Sequence, residues 1–184
     1  MAKATVVSSS KLNRMDDYVA YKDYWLKFRD AVVKMHKKDL DRERLYDVVE
    51  QVLEERQDNY NEAIKGYLSY IGKKKLVWSQ PPKAKWEEGQ LSVEINPEVS
   101  YFYKGKKYVI KLFLFANDSL DKRHANLILN VMEMVLRSKV EDDTVFAVLD
   151  VKRGKAFTSV SSNPKTIALL KAEALSFASL WNSL

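Results

Sequence analysis

The spacing of apolar residues changes once along this chain, near Leu76, and that single change requires helices first and a sheet afterwards. Before it, Tyr18, Tyr21, Trp25, Phe28, Val32 and Met35 recur at alternating steps of three and four, with charged residues between them. That rhythm places them on one face of a helix. After the charged stretch from Lys37 to Arg44, a second run of the same period carries Leu45, Val48, Val49, Val52, Leu53, Tyr60, Ile64, Tyr67, Leu68 and Ile71, and Gly72 closes it as a C-terminal cap. Met15 to Ile71 therefore reads as a pair of helices packed through an aromatic and aliphatic stripe.

Beyond Leu76 the pattern alternates. Leu76 to Ser79 suits a short strand, Pro81 and Pro82 interrupt it, and Leu91, Val93 and Ile95 alternate with Ser92, Glu94 and Asn96 as one face of a strand does. Tyr101 to Tyr103 and Tyr108 to Phe115 flank Lys104, Gly105 and Lys106, which predicts a hairpin with glycine supplying the turn. The second arm is apolar on both faces except at Lys111, so it is expected to be a central strand covered on both sides. Asp118 or Ser119 can cap a helix burying Leu120, Leu127, Ile128, Val131, Met134 and Val135. A strand from Thr144 to Val151 then turns through Lys152, Arg153, Gly154 and Lys155 and returns from Ala156 to Val160. Asn163 caps a last helix that begins at Pro164 and carries Ile167, Leu170, Ala174, Phe177 and Trp181 on one side. The expected fold is α/β in the mixed α+β sense: a central mixed β-sheet flanked by helices, with an N-terminal helical pair. It divides into a flexible N-terminus (1–14), a helical region (15–72) and a sheet-and-helix core (73–184) forming one compact unit.

Composition removes several classes of function. Without cysteine there is no disulfide framework, thiolate zinc site or thiol nucleophile. No apolar stretch has the length of a signal-peptide core or a membrane span, so a cytoplasmic protein with no membrane partner is expected. The net charge of +6 is spread evenly: residues 1–75 carry 16 basic and 13 acidic side chains and the rest 15 and 12, so there is no basic tail. The lysines and arginines gather instead at expected turns: Lys73 to Lys75; Lys83 and Lys85; Lys104, Lys106 and Lys107; Lys122 and Arg123; Lys152, Arg153 and Lys155. Such clusters serve either as solvated loop residues or as contacts to phosphates.

His36 and His124 stand on separate expected helices with no zinc-binding spacing, and each is read as a surface or helix-boundary residue. The five glycines form no phosphate-cradling loop, and no nucleophile elbow is present. What remains is a meander of strands followed by a helix and another strand, together with Pro97-Glu98 and Val109-Ile110-Lys111. From about Leu91 to Val160 this arrangement resembles the restriction-endonuclease-like fold of the PD-(D/E)XK nucleases. In that family an acid near the second core strand and an acid-x-lysine on the third bind divalent metal and activate water. The resemblance places Glu98 at the first element and Lys111 at the lysine, with Val109 standing where the family has a carboxylate and Glu94 as a further oxygen donor. A second mapping uses the literal Asp150-Val151-Lys152, with Asp150 as metal ligand and Lys152 as the cation that orients water.

The resemblance thus implies a catalytic set of Glu98, Lys111, Asp150 and Lys152, and metal ligands Glu94, Glu98 and Asp150 for magnesium or manganese if the protein cleaves. Nucleic acid would be held by Lys104, Lys106, Lys107, Lys122, Arg123, Arg153 and Lys155. Lys111 itself has two readings, a structural ion pair with an acid such as Glu98 or a residue of a working cleft. Nucleic-acid binding on a nuclease-like scaffold is the leading expectation. A protein-interaction module rich in tyrosine and tryptophan, or a small-ligand binder near Asn96 to Tyr108, stands beside it.

Overall fold

The computed structural model describes residues 23–115, 120–158 and 163–182. The expected flexible segment 1–14, and Tyr18 and Tyr21 of the first stripe, lie outside the described residues. Within them the stripe behaves as its period requires. Helix α1 (Leu26–Lys37) buries Phe28, Val32 and Met35, and Trp25 is buried just ahead of it. The second run is not one helix. Arg42–Gln51 winds as a 3₁₀ segment whose cap, the Asp41 carboxylate, accepts from the Glu43 N–H, and the chain then extends through Val52 and Leu53 before α2 (Glu54–Ile71) begins. Leu45 and Val48, three apart, stay on one buried face in a three-residue turn, whereas Leu53 is 62 % exposed and falls outside the stripe. Phe28 sits edge-on to both Tyr60 and Tyr67, with ring centroids 6.2 and 6.3 Å away, and so locks α1 to α2.

Seven strands follow: β1 (Val77–Trp78), β2 (Ala84–Glu88), β3 (Leu91–Ile95), β4 (Val99–Tyr103), β5 (Lys106–Phe113), β6 (Val145–Asp150) and β7 (Lys155–Thr158). Five form a mixed sheet in the order β1-β4-β5-β6-β7, in which only β5 and β6 run parallel, and β2 pairs with β3 as a separate hairpin. The fold is α+β, as expected. The parallel step needs a crossover, supplied by α3 (Lys122–Leu136), and α4 (Pro164–Asn182) closes the described chain. β5 is the central strand and is covered on both faces. Ile110 and Leu112 join Ala147 and Leu149 of β6 in the core beneath α1 and α2, while Val109 joins Phe146 and Val148 beneath Ala125, Leu129, Met132 and Leu136 of α3. The β4–β5 turn has two residues, Lys104 and Gly105, both at positive φ (50° and 78°), the backbone that matches the twist of a tight hairpin.

Several local expectations are corrected. β2 has no counterpart in the sequence reading, because Lys85, Glu87 and Glu88 mask an alternation held by Ala84 and Trp86. α3 is capped by Asp121, whose carboxylate accepts the His124 N–H at 2.8 Å; Asp118 and Ser119 lie outside the described residues. Its fully buried face is Ala125, Leu129, Met132 and Leu136, while Leu127, Ile128, Val131, Met134 and Val135 are only half-buried. The helix is covered by the sheet on one side and by the β2–β3 hairpin and α4 on its flanks, so the apolar arc is wider than one stripe. α4 begins as expected, with the Asn163 side chain accepting the Lys165 N–H at 3.0 Å; of the apolar residues read on one side of it, Ala174 is buried and Phe177 is 51 % exposed. Val160 and the Trp181 side chain lie outside the described residues.

One close approach fixes how α2 meets the sheet. A methyl group at Gly66 would stand 2.0 Å from the Val151 carbonyl oxygen and 2.5 Å from that of Lys152. The turn after β6 therefore rests directly on the α2 backbone.

Candidate functional site

Glu98 and Lys111 meet. The β4–β5 ladder ends at the pair Val99–Ile110, and one residue further the Glu98 carboxylate continues it by accepting the Leu112 N–H at 2.8 Å. Its other oxygen forms an ion pair with the Lys111 ammonium, which also donates to the Asn96 carbonyl at 3.2 Å. Glu98 is the more enclosed partner, its side chain 12 % exposed against 36 % for Lys111. The pair lies in a polar cleft of about 460 Å³ that also takes in Glu94, Arg29, Asp30 and Lys83. Three cations face three acids there, so the cleft itself is near neutral. Glu94 accepts the Asn96 side-chain amide at 2.9 Å.

Asp150 and Lys152 do not converge with that pair or with each other. Asp150, 3 % exposed at the end of β6, accepts the Leu120 N–H at 3.1 Å and the Arg153 guanidinium at 3.2 Å. Lys152 leaves in another direction, to Asn59 and Glu62 on α2, and this contact holds the Glu62 carboxyl below its usual range. Its ammonium thereby pins the turn that rests on Gly66. Val109, where the resemblance calls for a carboxylate, is fully buried hydrocarbon. Among the described residues no three His, Asp or Glu side chains gather as ligands. Magnesium or manganese does not fit the donors present: hard cations want several free oxygens, and those of Glu98 and Asp150 are already occupied by N–H groups and cations.

The basic clusters divide between opposite ends of the sheet. Lys104, Lys106 and Lys107 stand at the β4–β5 turn, the far end of β5 from Lys111. Lys107, only 15 % exposed, is paired with Glu141. The Lys73 to Lys75 run precedes β1, whose antiparallel register with β4 leads it to the same end, and Arg42 reaches the Lys74 carbonyl there. Lys122 and Arg123 are exposed on the first turn of α3, at the carboxyl end of β5. Arg153 is half-exposed but paired with Asp150, and Lys155 lies over the Phe157 ring at 4.9 Å.

Two further features escaped sequence reading. The first is a largely apolar cavity of about 770 Å³ at the carboxyl end of β5, lined by Phe113, Phe115, Leu127, Ile128 and Val148, with Asp121 and His124 on its rim and Lys111 between it and the polar cleft. Crevices beyond the carboxyl ends of parallel strands are where α/β sheets commonly bind ligands. The apolar run continuing past Phe113 to Phe115 was its only sequence signal. The second is a polar aromatic cluster. His36 is bonded to the Tyr67 hydroxyl at 2.7 Å and stacked on Trp78, and Tyr70 meets Tyr101 at 2.8 Å. Burial and the neighbouring Arg42 charge push the His36 imidazole down to about 4, and burial raises all three tyrosines.

The chain matches no protein-family model, no curated protein and no solved structure. No helix among the described residues is long and apolar enough to cross a membrane.

Proposed function

We propose that this chain is a nucleic-acid-binding protein on a nuclease-like scaffold that does not cleave through a divalent metal. The observation that carries the reading is the Glu98–Lys111 pair. An acid just before the second strand of a meander and a lysine on the third meet in a cleft, at the positions the PD-(D/E)XK resemblance assigns to the metal-binding acid and the catalytic lysine. The run β4, β5, α3, β6 within one sheet supports the reading over Val99 to Asp150, whereas the expected first strand of the meander, Leu91–Ile95, pairs with β2 outside that sheet. Where the family's second acid would stand, Val109 packs into the α3 core, and the Lys111 ammonium neutralises Glu98 in place of a metal. The exposed Lys122 and Arg123, between Asp121 and His124 at the carboxyl end of β5, supply a positive surface, and action in the cytoplasm goes with this reading.

The test is binding of fluorescently labelled single-stranded and duplex oligonucleotides at low salt, followed by incubation with magnesium or manganese. Binding without cleavage, unchanged by chelator, is the expected outcome. Metal-dependent cleavage abolished by chelator would overturn the degenerate assignment, and absence of binding at low salt would overturn the nucleic-acid assignment itself.

A second reading, a protein-interaction module, draws on α4, where Leu169, Leu175, Phe177 and Leu180 are 49–64 % exposed.

A further inference from the structure

We infer that the apolar cavity beyond β5 receives a single unstacked nucleobase, so that the chain selects single-stranded or locally unpaired nucleic acid over intact duplex; this rests on the nucleic-acid reading above. The cavity has the ingredients such recognition needs. Phe115, 55 % exposed, stacks on Phe113 with centroids 4.7 Å apart and leaves an aromatic face toward solvent, where a flat ring gains stacking energy. Val148 of β6, with Leu127 and Ile128 of α3, makes the remaining wall hydrocarbon. At about 770 Å³ the space lies within the range of small-ligand pockets.

The rim supplies polarity of the right kind. The Asp121 carboxylate accepts hydrogen bonds, as the exocyclic amines and ring N–H groups of bases require, and it is held ionised by the His124 N–H, its carboxyl lying below the usual range. His124 is bonded through Nδ1 to the same carboxylate at 2.9 Å. The two residues between Asp121 and His124, Lys122 and Arg123, are exposed on the first turn of α3 and offer cationic partners for phosphate. A base in the cavity therefore has cations beside it for its flanking phosphates. Lys111 lies between the cavity and the cleft of Glu98, so one strand can run from one to the other. Bases stacked inside a duplex cannot reach this wall without leaving the stack, which is the source of the selectivity.

The test compares the full chain with Phe115→Ala, a change at an exposed ring that should leave the thermal midpoint in place. Three probes of one sequence are titrated at low salt: a short single strand, its duplex, and a single strand whose bases are replaced by abasic spacers. Wild type is expected to prefer the intact strand over both others by roughly tenfold, and Phe115→Ala to lose that preference while binding the abasic strand as wild type does. Equal affinity for all three probes, or an unchanged preference in Phe115→Ala, would reject the base pocket and leave nucleic-acid binding standing. No binding of any probe would reject both.

Discussion

Replacing Lys111 by methionine tests what holds the cleft together, because methionine keeps the length of the stem and removes the ammonium. The magnitude follows from exposure. Breaking a fully buried pair costs about 3–5 kcal/mol and an exposed one about 0–1 kcal/mol. Here Glu98 is 12 % exposed and Lys111 36 %, so the loss should fall between these limits, at about 2 kcal/mol. For a chain of this size that is a drop of about 6 °C in thermal midpoint. The loss belongs to Glu98, which would keep only the Leu112 N–H. Glu98→Gln removes the charge but retains a carbonyl for that N–H, so adding it to Lys111→Met should restore much of the lost stability. Urea denaturation of the two single variants and the double variant gives the coupling energy, expected at about 1 kcal/mol or more. A midpoint unchanged by Lys111→Met, or additive effects in the double variant, would refute the ion pair as the organiser of this cleft.

Gly66→Ala should destabilise by about 3 kcal/mol, because the new methyl meets backbone carbonyls that cannot rotate away; calorimetry showing a shift of under about 1 °C would contradict the close approach. His36 predicts a pH dependence with a definite sign. Its imidazole titrates near 4 in the folded chain against 6.5 when free, so the stability it contributes is present above pH 6.5 and is lost as pH falls toward 4, by about 2 kcal/mol after allowing for partial solvation. In His36→Gln, which can still bond to Tyr67, the change in denaturation midpoint between pH 6.5 and 4.5 should shrink by a comparable amount. An undiminished change would assign the dependence to other groups.

The sequence reading succeeded where one residue type had one physical reason to be there. β5 was legible as the central strand because its run is apolar on both faces apart from Lys111, and its hairpin because Gly105 stands where positive φ is required. The Glu98–Lys111 pair was foreseeable for the same reason, since a lysine in that strand needs a partner. β2 was hidden because Lys85 and Glu87 point outward from a two-stranded hairpin whose inner side is only half-buried, and because the inner position after Trp86 is itself a charged residue, Glu88. The break at Val52 and Leu53 was hidden because 3₁₀ and α windings share the three-residue step that Leu45 and Val48 occupy. Lys152 was misplaced for a deeper reason. Its partners Asn59 and Glu62 lie some ninety residues earlier, and only the seating of the turn on Gly66 brings them within reach. The aromatic cavity likewise exists only once the crossover helix has laid Leu127 and Ile128 beside Phe113.

The most direct test of the central claim is the salt dependence of oligonucleotide affinity, because it reads phosphate contacts regardless of sequence. If Lys122, Arg123 and about two further cations engage a single strand, log affinity should fall with log salt at a slope of about −3. Lys122→Glu with Arg123→Glu, both exposed and outside the core, should bring that slope to about −1.5 or shallower while leaving the thermal midpoint in place. A slope near zero in the wild type, or the same steep slope in the charge-reversed variant, would contradict the account.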